Sequence, residues 1–193
     1  MKKFDNYDQT EAFTGEYESL PAGGYICKIL QVKAEEPEPG TKNYDTLLRI
    51  GFDIAEGENK DFYKRLFDRK KASKPDAKWP GMYYQTIKQD DLRYFKGFIT
   101  AIENSNSSFV WDWDERKLKD KLFGGVFGEE EYEITLGKRA GEIGTSVKCA
   151  WVRSVDEIRK GNFKVPEVKR ITRKATTSDG FYPVADSDDD LPF

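Results

Sequence analysis

The chain reads as a mainly β protein: a five-stranded barrel with a helix inserted between its third and fourth strands. Three observations carry that expectation. Apolar residues alternate with others along several short stretches, at the period of two that a strand with one buried face requires. One long stretch has clear helical spacing instead. Aromatic residues make up 14% of a chain whose hydrophobic content is 37% and whose mean hydropathy is −0.77. So many rings in so polar a chain must fill a small core, present a stacking surface, or do both. At 193 residues the chain is long enough for one well-packed domain with irregular extensions.

Taken in order, residues 1–22 are polar but carry Phe4, Tyr7, Phe13 and Tyr17, which suits an irregular arm lying against the domain. A strand rich in β-branched residues is expected over 25–34, and the prolines and glycine of 35–42 make a loop. Over 44–55, Leu48, Ile50, Phe52 and Ile54 alternate with Leu47, Arg49, Gly51 and Asp53, a clean strand pattern. Glu56-Gly57-Glu58-Asn59 reads as a hairpin turn. A third strand is expected over 61–69, where Phe62, Lys64 and Leu66 alternate with Tyr63, Arg65 and Phe67. Residues 70–85 then read as a long loop broken by Pro75, Pro80 and Gly81, and loops of that length are usually functional or mobile. The helix covers 90–103, capped by Asp90 or Asp91, with Leu92, Phe95, Phe98, Ile99 and Ile102 on one face. A short helix over 114–123 leads through a Gly124-Gly125 turn to strands over 126–137 and 146–155. The barrel domain thus spans 23–165 and a flexible tail 166–193. Five strands with that inserted helix have the element order of an OB-fold.

Composition excludes much chemistry. The chain has no histidine, which removes the commonest general base and metal ligand. Cys27 and Cys149 are far apart and in no paired spacing, so they read as buried free thiols of a reducing compartment. No signal-peptide core and no apolar run of membrane length is present, and a cytoplasmic protein without membrane contact is expected. No cofactor, metal or catalytic residue is expected either. The enzymatic alternative is a metal-dependent nuclease, with Asp112 and Asp114 of Trp111-Asp112-Trp113-Asp114-Glu115 holding Mg²⁺. An acidic helix start beside packed rings is the preferred reading of those residues.

Charge points the other way. Five of the 35 acids and none of the 32 bases lie from Asp179 onward, so the preceding residues carry a net charge of +2. A protein that binds a nucleic-acid strand without reading its sequence needs a cationic groove and flat side chains on which bases stack. Tyr63, Lys64, Arg65, Phe67, Arg69, Lys70, Lys71, Lys74 and Trp79 supply both within one stretch. Tyr63 and Arg65 are expected to point outward and Phe62 and Leu66 inward. Arg49 would share the outward face, and Lys148, Trp151 and Arg153 would extend the path.

The chain closes on Asp186-Ser187-Asp188-Asp189-Asp190-Leu191-Pro192-Phe193, a run of acids before an apolar plug. This stretch resembles the acidic C-terminal tip of bacterial and phage single-stranded DNA-binding proteins. Residues 20–160 are similar to such proteins carried by phages and mobile elements of Gram-positive bacteria, in Leu20-Pro21-Ala22-Gly23-Gly24-Tyr25, Glu103-Asn104-Ser105-Asn106 and Glu130-Glu131-Tyr132. The resemblance implies sequence-independent binding of single-stranded DNA in replication, recombination and repair. It also implies that Asp186, Asp188, Asp189, Asp190, Leu191, Pro192 and Phe193 recruit replication or recombination proteins. A homo-oligomer is compatible with this reading, although a shorter tail and an extra helical insertion depart from the tetrameric housekeeping form. A module whose tail docks partners while the barrel ignores DNA is the remaining alternative.

Overall fold

The computed structural model describes residues 2–3, 7–9, 18–37 and 45–171. The acidic tip at 186–193 lies outside the described residues, as do most of the expected arm and part of the loop before the second strand.

Strand β1 (Gly23–Glu35) organises the sheet. Its first half pairs with β4 (Leu122–Glu133) and its second half with β2 (Thr46–Ile54), and Cys27 and Lys28 pair with both. A bulge between Ile29 and Gln31 bends the strand, so one strand can serve two directions of a curved sheet. β3 (Met82–Ile87) adds to β2 and β5 (Ile143–Arg153) adds to β4, giving the antiparallel order β3-β2-β1-β4-β5. The sheet curls into a nearly closed barrel with β3 and β5 facing each other across an open seam. With helix α2 (Arg93–Ser105) between β3 and β4, this is the OB-fold arrangement that the sequence predicts.

The core follows the two clearest sequence patterns. Leu48, Ile50, Phe52 and Ile54 of β2 are all buried, and so are Phe95, Phe98, Ile99 and Ile102 of α2, whereas Leu92, expected on that helical face, stands just before the helix and is exposed. Burying each such side chain contributes about 1.5–3 kcal/mol. Phe52 is the hub, edge-on to Tyr63, Phe123 and Phe127 at 5.3, 5.6 and 5.9 Å. At the start of α2, Asp91 Oδ1 accepts the Arg93 backbone N–H at 3.2 Å.

The stretch expected as the third strand is instead helix α1 (Phe62–Ser73). Its residues fit both periods, because Phe62/Leu66 and Tyr63/Phe67 are helical neighbours as well as alternating positions. Two features decide for the helix. Asp61 adopts φ 57°, the left-handed region, which breaks the extended path out of the turn. Asp53, expected on an outward face, is turned in and only 6% exposed. Its Oδ1 accepts the N–H of Ile54 at 2.8 Å and of Tyr63 at 2.9 Å, and its Oδ2 accepts that of Lys64 at 2.9 Å. A carboxylate on β2 therefore caps the orphan donors of a helix that follows it. The third strand, β3, begins inside the stretch expected to be loop and runs two residues past it.

Three further differences shape the surface. The expected helix over 114–123 is a 3₁₀ turn at Glu115–Leu118, and Gly124-Gly125 lie inside β4 rather than before it. A Cβ at Gly124 or Gly128 would meet Ile158 or Pro166 at 2.3 Å, so these glycines let the following chain lie flat on β4. That chain is helix α3 (Val155–Arg159), opened by a Ser154–Glu157 capping box, and the strap after it. The strap stays bonded to the barrel beyond the expected boundary at 165: the Lys169 N–H donates to Glu129 O at 3.0 Å and the Ile171 N–H to Glu131 at 3.1 Å. No helix among the described residues is long and apolar enough to cross a membrane.

Candidate functional site

The open seam carries the largest concentration of exposed rings. Along β3, Gln85 is buried and Tyr83 stacks on Phe98 at 6.0 Å, so the intervening Tyr84 projects outward and is 53% exposed. Across the seam Trp151 of β5 is 48% exposed, and Tyr94 at the start of α2 is 72% exposed. These three rings line one cleft of about 560 Å³ together with Lys88, Arg93 and Arg153. The Arg49 guanidinium lies 5.8 Å from the centre of the Tyr84 ring, with its Nε on Glu35 at 2.7 Å. Asp91 grips Arg93 through two bonds of 2.9 Å, and that guanidinium draws the Asp91 carboxyl down to about 2. Lys88 and Arg153 have no ion-pair partner among the described residues.

A second groove of about 420 Å³ runs on the other side of β3, between Gln31 and Lys33 of β1, Arg49 and Gly51 of β2, Trp79 and Met82. Gly51 opens its floor, since a Cβ there would meet nothing nearer than 3.8 Å. Trp79 is half-buried: its indole N–H donates to Phe52 O at 3.0 Å and its ring leans on Phe67 at 5.3 Å. Lys71 Nζ sits 5.5 Å from the Phe67 ring centre, behind Trp79.

The residues expected to bind a strand thus divide. Tyr63 is buried at 7% exposure and edge-on to Phe52, so it presents no stacking surface. Lys64 pairs with Asp68 at 2.7 Å along α1, and Arg65 and Arg69 both reach Glu18. Lys70, Lys71 and Lys74 stand exposed at the end of α1. Lys148 pairs with Glu130 at 2.8 Å; Glu130 also holds Lys169 at 2.9 Å, and the two ammonium groups bring its carboxyl down to about 2. Trp151 and Arg153 meet at the seam, Arg49 and Trp79 meet at the groove beside it, and Phe67 packs behind Trp79 with Lys71 over its ring. Sequence reasoning missed Tyr84, Lys88, Arg93 and Tyr94. The signal for Tyr94 was present: it is an aromatic on the polar side of an otherwise amphipathic helix.

A third cleft, about 360 Å³, is ringed by Leu48, Ile87, Leu92, Trp111, Trp113 and the carboxylates Glu36 and Glu115. Phe95 lies 5.8 Å from Trp111 and 5.9 Å from Trp113. Trp113 is 68% exposed and has φ 68°, a backbone conformation that costs about 1–2 kcal/mol for a residue with a side chain. The Trp111 indole N–H is the one buried side-chain polar atom without a partner among the described residues. The acids of the nuclease alternative are each held by a neighbouring cation: Asp112 by Lys117, and Asp114 by Arg116 at 2.8 Å. Both carboxyls lie below their ordinary range for that reason. Among the described residues no three potential metal-ligating side chains come together.

The two thiols face the same backbone, as a Cβ on Gly125 would meet Cys27 Sγ at 3.2 Å and Cys149 Sγ at 3.3 Å. Cys27 is buried as expected while Cys149 is only half-buried, and desolvation pushes both up, Cys149 to about 12, so neither is an activated nucleophile. Compared with known proteins, the chain is matched by no family model and by no curated protein sequence.

Proposed function

We propose that the protein binds single-stranded DNA without reading its sequence, at the seam between β3 and β5. The observation that carries this reading is the convergence of Tyr84, Tyr94 and Trp151 with Lys88, Arg93 and Arg153 on one open cleft. Exposed rings offer bases a sequence-tolerant stacking surface, and cations hold the phosphates between them. Arg49 and the Trp79 groove continue the path across the outer face of β2, toward the exposed lysines at the end of α1. The barrel is of a kind that often serves this purpose, but that analogy alone carries little weight.

The work of such a protein is electrostatic capture followed by stacking, which straightens and shields the strand. In the same reading the Asp186–Asp190 acids and the Leu191-Pro192-Phe193 plug recruit replication or recombination proteins. Titration with an oligo-dT, followed by tryptophan fluorescence, tests the proposal. Quenching that saturates and weakens steeply with salt is the expected result. An oligonucleotide that neither quenches the fluorescence nor shifts in a gel would refute it.

A further inference from the structure

We infer that the Trp111–Trp113 cleft is a docking site for a protein partner that presents a Lys or Arg side chain. Three features of one place support this. Trp113 keeps most of its ring open while holding a left-handed backbone. Strained positions of that kind persist where the surroundings over-determine them, and they cluster at ligand clamps. Phe95 and Trp111 brace the ring at 5.9 and 6.1 Å, so the exposed indole is a fixed wall rather than a loose side chain.

Glu36 and Glu115 line the same cleft and form no ion pair among the described residues; Glu36 accepts the Thr46 hydroxyl at 2.9 Å, and Glu115 lies within the field of Arg116, itself held by Asp114. An aromatic wall beside carboxylates that no salt bridge ties up attracts a cation twice, through the ring quadrupole and through charge. The same carboxylates repel phosphate, which separates this cleft from the proposed DNA path. The long arm of a Lys or Arg suits the remaining surface, with its stem along Ile87 and Leu92 and its head against the carboxylates.

The test uses the full chain, isotope-labelled, and reads its four tryptophan indole N–H resonances. The tripeptide acetyl-Gly-Arg-Gly-amide should shift the Trp111 and Trp113 indoles and leave those of Trp79 and Trp151 in place. Trp113→Ala should weaken that binding about fivefold, and Glu115→Gln should weaken it too, with circular dichroism unchanged. Acetyl-Gly-Glu-Gly-amide should move none of the four. An oligo-dT should move Trp151, and failure of that arm alone would count against the DNA reading and not against this one. The docking proposal falls if the arginine peptide moves nothing, or if its effect survives both substitutions. It also falls if oligo-dT moves the Trp111 and Trp113 indoles more than the peptide does. Indoles that move on raising the protein concentration alone would make the occupant a second copy, and would overturn it as well.

Discussion

Between β3 and β5, the rings of Tyr84, Tyr94 and Trp151 stand among Lys88, Arg93 and Arg153. Beyond the start of α2, the rings of Trp111 and Trp113 stand beside Glu36 and Glu115. The two clefts have similar flat surfaces and opposite rims. A ring face is available to a base, a cation or an apolar side chain alike, so the ring alone does not select a ligand. The rim does. With Arg93 already held by Asp91, the contrast turns on Lys88 and Arg153 at one rim against Glu36 and Glu115 at the other, and under the two proposals that difference in sign separates a phosphate-bearing ligand from a cationic one.

Because both clefts sit on one barrel, a lesion in the fold must affect both, and a lesion in a rim must affect one. The largest effect is expected from Asp53→Ala, which strands the three N–H groups that Asp53 accepts. Urea unfolding should show a loss of about 2–3 kcal/mol, with the ligand preference of each cleft unchanged while the protein is folded. Burial raises the Asp53 carboxyl in the folded state. Its own titration therefore favours folding most below the ordinary aspartate range, and that contribution fades as the pH rises through the raised value. The variant should lack this part of the pH dependence.

Next in size, Arg153→Glu should lower oligo-dT affinity about tenfold and reduce the log–log salt slope by about 0.7, the share of one phosphate contact. The unsubstituted protein should show a slope of roughly −2 to −3.5, for about three to five contacts. A smaller and opposite effect is expected from Glu115→Lys, which turns part of the acidic rim basic. It should improve oligo-dT binding about twofold at low salt and not at high salt. No change there would mean that the rims do not set the difference between the clefts.

Smallest is Glu130, away from both clefts. Lys148 and Lys169 hold its folded carboxyl near 2, below its ordinary value of 4.5. Its contribution is present above about 4.5 and is lost as the pH falls toward 2. The group is partly exposed, so Glu130→Gln should cost less than about 1 kcal/mol. Faster hydrogen exchange at the Lys169 N–H is the readout, with ligand binding unaffected.

What the sequence made legible follows the range of the interaction concerned. β2 and α2 show their buried faces in their own periodicity, and both lie where that pattern puts them, except that Leu92 stays exposed ahead of α2 and Asp53 turns in. α1 was misread because Phe62 to Phe67 satisfies two periods at once, and the deciding cap comes from Asp53 on another element. Its outcome removed Tyr63 from the surface and paired off Lys64, Arg65 and Arg69. Ser154-Val155-Asp156-Glu157 carried a local helix-start signal that the surrounding strand pattern obscured. The seam was not legible as a site, since Tyr84, Tyr94 and Trp151 come from three elements and only the closing of the barrel brings them together. Charge pairing was equally hidden: Lys148 and Arg153 look alike in sequence, yet one is bound to Glu130 and the other has no partner among the described residues.

The central claim is that the seam is where bases stack, and Trp151 is its most direct probe. Fluorescence polarisation of a labelled oligo-dT should show Trp151→Ala binding more weakly by about 1–3 kcal/mol, the usual loss for one base–aromatic stack. The salt slope should stay as it was, because no cation is removed. Equal affinity in the variant, with its circular dichroism intact, would contradict the account.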